Sequence, residues 1–146
     1  MFNTWFQVGL IPASGSAWSP NDVPLVRART VSITVKLTYA AAATAGAKVH
    51  VYYSPNGKNW DTVAVDDFTV DFTAGQTVQK TYLVGIPEHG YMKVKVENLD
   101  SAQVITNVSV WYSIQSWFEL RTASPRLVPA PEQEVGTIEK DVGESS

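Results

Sequence analysis

The chain has no cysteine, few charged residues and no long apolar run, and each absence limits what it can be. Without cysteine, neither disulfide bonds nor thiolate metal sites can form. No segment reaches the roughly 18 apolar residues that a membrane-spanning helix needs. The stretch MFNTWFQVGLIPASGSAW has no basic start, and its apolar run is interrupted at Gln7 and Gly9. We therefore expect neither a membrane segment nor a cleaved signal peptide.

Charged residues make up only 17% of the 146 residues, and their distribution is uneven. Through Arg121, nine basic residues balance nine acidic ones, whereas the residues that follow carry a net charge of −3. A neutral body offers little electrostatic repulsion against self-association. It also lacks the basic stripe that DNA or RNA binding requires, so we expect no nucleic-acid partner.

Alternation of apolar and polar residues dominates the chain and predicts antiparallel strands with one buried face. The expected inward faces of the three clearest strands are Val31, Ile33, Val35, Leu37 and Tyr39; Met92, Val94 and Val96; and Val104, Thr106, Val108, Val110, Tyr112 and Ile114. Less regular runs lie at residues 5–11, 23–28, 48–54, 63–72 and 77–86. No window has sustained helical spacing. The sequence thus predicts an all-β protein, an antiparallel, jelly-roll-like β-sandwich of about eight strands.

Composition changes after Arg121, where three prolines fall within seven residues and an acidic, aromatic-free run follows. We therefore expect a sandwich domain over residues 1–121 and an extended Pro-rich tail over residues 122–146. The tail is either disordered or an arm that adds itself to a sheet edge of a neighbouring subunit. The apolar anchors of such an arm would be Leu127, Val128, Val135 and Ile138.

The stretch YSPNGKNWDT predicts a tight hairpin turn. Asn56 and Gly57 suit the two positive-φ positions of such a turn, and Trp60 would lie in the returning strand and cover it. The stretch is similar to the Asp-box of sialidase-like repeats, Ser-x-Asp-x-Gly-x-x-Trp, with Asn56 in the acidic position. In those repeats the box is a folding element, so the resemblance implies a hairpin and not a glycosidase.

Residues that could bind a metal or catalyse a reaction are few and scattered. The candidates are the histidines His50 and His89, the acids Asp61, Asp66, Asp67 and Asp71, and the carboxylates Glu88, Glu97 and Glu119. The histidines are too few for a zinc site without cysteine, and the aspartates lack the spacing of a calcium loop. No serine lies in a nucleophile elbow, and nothing favours a glycosidase pair among the glutamates. We expect no metal, no cofactor and no enzymatic activity.

The aromatic side chains are the remaining candidates for a binding site or an interface. Alternation predicts that Trp111 points away from the face of Val108 and Tyr112. Adjacent aromatics, as in Trp5-Phe6 and Trp117-Phe118, should face opposite sides of a strand, so one of each pair lies off the core face. Outward aromatics on a sandwich stack on sugars or become buried in a subunit interface, unless the domain itself covers both faces.

The run over residues 51–113 is similar to small β-rich proteins of tailed phages and prophages. It shares with them the pattern YSxDGxxWDT, AGxTxQKT, xMKVKVxNLD and xxxNVxVW, with Asn56 again in place of the aspartate. The resemblance implies a virion component, such as a head-decoration or tail-associated subunit, made in the host cytoplasm. Its partners would be copies of itself and capsid or tail proteins.

The sequence thus favours a non-enzymatic structural subunit that forms a homo-oligomer. Its interface would use Trp111, Trp117 and Phe118 together with the four apolar anchors of the tail. The alternative is a carbohydrate-binding module in which Trp60 and Trp111 stack on pyranose rings.

Overall fold

The computed structural model describes residues 2–116, which form two antiparallel β-sheets and no helix. The strands are β1 (Asn3–Ile11), β2 (Ser16–Trp18), β3 (Val23–Leu25), β4 (Ala28–Tyr39), β5 (Ala47–Ser54), β6 (Asp66–Val70), β7 (Thr77–Gly85), β8 (Gly90–Asn98) and β9 (Ile105–Ser116). Sheet A has the order β1-β9-β4-β7, and sheet B has the order β2-β8-β5-β6, with β3 also paired to β8. The predicted boundary at residue 122 lies outside the described residues.

The strand order is that of a jelly roll in which one of the eight strand positions is divided in two. Strands β2 and β3 pair with successive parts of β8, and the break between them contains Pro20, which cannot donate to a ladder. Ser19 bridges the break: its N–H donates to the Val94 carbonyl at 2.9 Å, and its Oγ accepts from the Val94 N–H at 3.1 Å. The predicted β-sandwich is confirmed. The ninth strand is β2, which lies outside the runs that predict strands.

The core lies between the sheets and is built from the alternating apolar residues of their central strands. In β4, Val31, Ile33, Val35 and Leu37 are fully buried, and Tyr39 is 2% exposed. In β8, the predicted residues Met92, Val94 and Val96 are fully buried as well. The predicted inward faces of these two strands are confirmed.

Strand β1 departs from simple alternation, because the register with β9 shifts between Thr4 and Phe6. The bulge brings Trp5 and Phe6 to the same side, and each is 7% exposed. The Trp5 indole N–H donates to the Asn21 carbonyl at 3.1 Å. The prediction that one of these two aromatics lies off the core face is therefore wrong: a bulge places two consecutive side chains inward.

In strand β9, the alternation of inward and outward side chains shifts near the start of the strand. Asn107 has a φ of 52° and lies between Thr106 and Val108, whose partners in β1 are Leu10 and Val8. Ile105 is buried before this point, and Val108 and Val110 are buried after it. The predicted inward position of Thr106 is therefore wrong. One residue in the left-handed region, here Asn107, shifts the alternation of inward and outward side chains by one residue. Val104, which was also predicted to face inward, precedes the first residue of β9.

Tyr39 ties the end of β4 to sheet B. Its hydroxyl donates to the Val70 carbonyl at 3.1 Å and accepts from the Ala47 N–H at 3.2 Å, and burial raises the pKa of this phenol. We expect Tyr39→Phe to lower the free energy of unfolding by about 1–3 kcal/mol, because the buried N–H and carbonyl lose their partner. Urea denaturation would measure this. An unchanged midpoint would show that water replaces the hydroxyl.

Candidate functional site

The two tryptophans of the predicted sugar site lie on different sheets. Trp111 is in β9 and projects from the outer face of sheet A, where it lines a depression with Thr34 and Thr81. Trp60 follows β5 and contacts Lys93 on the outer face of sheet B. The sandwich therefore separates Trp60 from Trp111, so the two rings do not form one sugar site, and stacking of a sugar on either ring stays a prediction. The other predicted interface residues, Trp117, Phe118, Leu127, Val128, Val135 and Ile138, lie outside the described residues.

The loop after β5 is longer than the tight hairpin that the sequence predicts. It spans residues 55–65, so Trp60 lies within the loop and not in a returning strand. Gly57 has a φ of 76°, but Asn56 is not in the left-handed region. Side chains shape the turn instead: Ser54 Oγ accepts from the Gly57 N–H at 2.8 Å, and Asn56 Oδ1 accepts from the Asn59 N–H at 2.8 Å. These local bonds compete successfully with a two-residue turn.

The outer face of sheet A is almost uncharged. Its four strands contain no Asp or Glu, and β1 and β9 contain no charged residue at all. The outward positions of β4 and β7 carry mainly hydroxyls, which pair across the strands: Thr34 with Thr81 and Thr38 with Thr77, each at 2.8 Å between Oγ1 atoms. Strand β4 carries two basic residues, Arg29 near its start and Lys36 among these hydroxyls. Charge depletion is the compositional mark of an interface centre.

Trp111 lies at the middle of this face, half-buried. It lines a shallow depression of about 430 Å³ together with Phe2, Thr34, Gln79 and Thr81. Thr34 points outward in the pleat and yet is only 7% exposed, while Phe2 is 49% exposed. On the neighbouring strand, Leu83 is 61% exposed. We call this set (Phe2, Thr34, Gln79, Thr81, Leu83 and Trp111) the Trp111 face.

Strand β7, which contributes Gln79, Thr81 and Leu83 to the Trp111 face, is an edge strand of sheet A. Strand β7 pairs with β4 over nine residues, Thr77 to Gly85, and no described strand pairs with its other side. Lys80 faces inward on this strand, opposite Val35, and its Nζ lies 4.0 Å from a carboxylate oxygen of Asp71. An inward-pointing charge is a common guard against unwanted strand pairing, so the flat face is a better contact surface than the edge.

The outer face of sheet B has a different chemistry, with aromatic rings interleaved with lysines. The rings of Trp18 and Tyr52 are 5.2 Å apart at an interplanar angle of 39°. Lys93 Nζ lies 4.8 Å from the Trp18 ring centroid and 4.4 Å from that of Trp60. Lys95 Nζ lies 5.3 Å from Trp18 and 6.0 Å from Tyr52. We call these five residues the lysine–aromatic cluster.

Trp18 contacts Tyr52 and both lysines of this cluster, and it is not among the site residues predicted from the sequence. Trp18 ends β2, a strand of three residues, which is too short to show alternation. It lies beside the lysines because β2 pairs with β8, with Trp18 opposite Lys95. The alternation of Lys93 and Lys95 on the outward side of β8 was the available signal, but it does not say which aromatic residues lie nearby.

The candidate titratable residues do not converge. His50 Nε2 lies 2.8 Å from a Glu97 carboxylate oxygen, and His89 Nε2 lies 4.0 Å from one of Glu88. Glu88 precedes β8 and Glu97 is near its far end, which separates them by at least about 20 Å at the rise of a strand. Glu119 lies outside the described residues. Glu88 and Glu97 therefore do not form a glycosidase pair, whose carboxyls lie no more than about 10 Å apart.

Metal-ligating side chains are likewise dispersed within residues 2–116, where no three His, Cys, Asp or Glu come close enough to hold an ion. The aspartates have other neighbours: Asp67 lies 3.8 Å from Lys48, and the Tyr82 hydroxyl donates to Asp66 at 3.5 Å. In the same part of the chain, no helix has the length and apolarity to cross a membrane.

Comparisons with known proteins show distant structural similarity only. No family model matches the sequence, and no curated protein matches it. A GH115 4-O-methyl-α-glucuronidase, BtGH115A, is similar at 7% identity and a TM-score of 0.42, over 69% of this chain and 14% of that one. Dimeric latent PorU from Porphyromonas gingivalis is similar at 10% identity and a TM-score of 0.45, over 71% of this chain and 10% of PorU.

A third structure, FLHE, is similar at 12% identity and a TM-score of 0.37, over 77% of this chain and 90% of FLHE. This chain thus corresponds to a small part of the first two proteins and to most of the third. Likenesses at these identities and scores carry no functional argument.

Proposed function

We propose that this chain is a non-enzymatic structural subunit that assembles with copies of itself through the Trp111 face, as a component of a phage particle. The observation that carries the proposal is the near absence of charge across the outer face of sheet A, where a half-buried tryptophan lies among hydroxyls and exposed apolar side chains. Jelly rolls form viral capsid domains and also lectins and cupins, so the fold accords with the proposal without deciding it.

The energetic basis of the assembly is the burial of aromatic and aliphatic surface without desolvation of charge. Phe2, which lines the depression beside Trp111, is 49% exposed, and Leu83, two residues beyond Thr81 on β7, is 61% exposed. Two such faces in contact would bury these side chains and leave few ion pairs to break. Threonine pairs already satisfied within the sheet lose little on dehydration. A tryptophan at such a centre contributes about 2–4 kcal/mol to association.

Replacing Trp111 by alanine is therefore expected to weaken self-association by about 30- to 700-fold, following from 2–4 kcal/mol at 1.4 kcal/mol per decade. The mass of the full-length chain would be measured by size-exclusion chromatography with light scattering across a dilution series. Trp18→Ala is the matched control, because it removes an exposed tryptophan from the opposite face. A strictly monomeric wild-type chain, or equal weakening by both variants, would overturn assembly through this face.

The predicted arm and the virion location need separate measurements. Truncation after Thr122 removes the Pro-rich acidic tail, and loss of oligomer mass in that variant would support an arm that reaches a neighbouring subunit. Mass spectrometry of purified phage particles would test the location. A chain found with host proteins and not with particles would contradict a virion role while leaving self-assembly to be judged on mass.

A further inference from the structure

We propose that the lysine–aromatic cluster on sheet B binds an acidic polysaccharide, with the rings of Trp18, Tyr52 and Trp60 contacting sugar faces and Lys93 and Lys95 pairing with uronic-acid carboxylates. The cluster lies on the sheet opposite the Trp111 face, so the two surfaces can be occupied at the same time. This proposal adds a ligand to the structural role and does not depend on it.

The lysines of the cluster carry charge that the described chain leaves without a carboxylate partner. No Asp or Glu of residues 2–116 forms a salt bridge with Lys93 or Lys95. The nearest acid along β8, Glu97, is bonded to His50 at 2.8 Å. Both ammonium groups instead lie over ring faces, at 4.4 to 6.0 Å from the centroids. Cation–π contacts orient a lysine without neutralising it, so the cluster attracts anions.

The aromatic residues add a flat apolar component beside that charge. Trp18 remains 46% exposed although it contacts Tyr52 and both lysines. The three rings come from three places, namely β2, β5 and the loop of residues 55–65, and β8 holds them together through its outward lysines. Tyr52 lies opposite Lys93 in the ladder, and Trp18 lies opposite Lys95. Trp18 and Tyr52 lie on two strands that each pair with β8, and rings on strands are held more precisely than rings on loops.

The pairing of flat apolar rings with isolated positive charge fits a ligand that offers both features in each repeat. A uronic-acid residue has an apolar face of C–H groups and a carboxylate at the ring edge, and a carboxylate forms strong charge-assisted bonds with an ammonium. A neutral polysaccharide would leave the lysines without a role. Single-stranded nucleic acid also stacks on aromatics, but it needs a basic groove that follows the backbone, and nine acidic residues balance the basic ones through Arg121.

The binding test uses polygalacturonate and the same polymer fully methyl-esterified, which keeps the rings and removes the charge. We expect the intact chain to retain polygalacturonate in affinity electrophoresis and calorimetry, and to bind the ester at least about tenfold more weakly. Trp18→Ala and the double variant Lys93→Gln, Lys95→Gln are each expected to weaken binding by about tenfold or more. Thermal melting would confirm that both variants fold.

Two controls separate this site from the Trp111 face and from other polyanions. Trp111→Ala should bind a short galacturonic-acid oligomer, which occupies one site at a time, like the intact chain, because loss of self-association changes only the avidity for the long polymer. Trp18→Ala should keep the oligomer mass. Equal binding of the ester would overturn the role of the lysines. Stronger binding of poly-dT than of polygalacturonate would make the site a nucleic-acid site. If the folded chain bound neither polymer, the cluster would serve only to hold the loop of residues 55–65 against sheet B.

Discussion

Replacing Gly90 by alanine is expected to lower the free energy of unfolding by about 3–5 kcal/mol, adding backbone strain to overpacking. Gly90 is the first residue of β8 and has a φ of 130°, a conformation that side chains rarely adopt. A Cβ atom there would lie 2.5 Å from the Tyr53 ring and 2.6 Å from the Ser54 carbonyl oxygen. The carbonyl belongs to a strand paired with β8, so it cannot move away without breaking the ladder.

The measurement is urea denaturation, with the midpoint and the slope fitted together. Gly85→Ala is the matched control, because Gly85 ends β7 at an ordinary φ with no atom within 4 Å of its Cβ position. That variant should stay within about 0.5 kcal/mol of the original chain. If the two alanine variants were equally stable, β8 would not begin in the conformation described here.

The stability of the folded chain at low pH should depend on Asp100, a residue that is only 3% exposed. One oxygen accepts from the N–H groups of Thr44 and Ala45 at 2.7 and 3.2 Å, and the other accepts from those of Ala102 and Gln103 at 2.8 and 2.9 Å. These bonds, with the Thr44 N–H first, lower the pKa of Asp100 to about 2, from 3.8. The charged form is thus the one that the fold holds.

Because the pKa of Asp100 is lower in the folded chain, its stabilising contribution is complete above the ordinary value near 4 and is lost as pH falls through about 2. Asp100→Asn should lower the melting temperature by several degrees at neutral pH, since an amide NH₂ would face two N–H donors and leave them unpaired. The difference between the two chains should shrink between pH 4 and pH 2.

Thermal melting across that pH range tests this prediction. Asp71→Asn is the control, because Asp71 is a surface residue whose nearest cation, Lys80, lies 4.0 Å away, and such pairs contribute little. A gap between Asp100→Asn and the original chain that stayed constant down to pH 2 would show that the carboxylate is not the titrating group.

Asp100 also belongs to the triplet Asn98, Leu99 and Asp100, which lies at the end of β8. The Asn98 amide donates to the carbonyls of Pro12 and Gln103 at 3.1 and 2.8 Å, and its oxygen accepts from the Asp100 N–H at 3.0 Å. The triplet therefore ties together three connections at one end of the sandwich. The hydrogen bonds of the triplet thus give it a structural role.

Sequence alone determined the sandwich and the faces of its regular strands. Alternation is a local property, and it placed the inward residues of β4 and β8 correctly. The registers of β4 with β7 and of β8 with β5 are continuous. The charge-free character of β1 and β9 is equally legible in the sequence. The sequence could not show that β1 and β9 are neighbours in sheet A.

Only the tertiary structure decided which outward residues meet. Trp60 and Trp111 are each outside the core, but the order of the strands places them on opposite sheets, and it brings Trp18 from a strand of three residues beside Lys95. The bulge at Trp5 and the left-handed Asn107 shift the pleat according to the partner strand. Strand partners and bulges are set by pairing between residues far apart in the chain, and a period of two in the sequence carries no information about either.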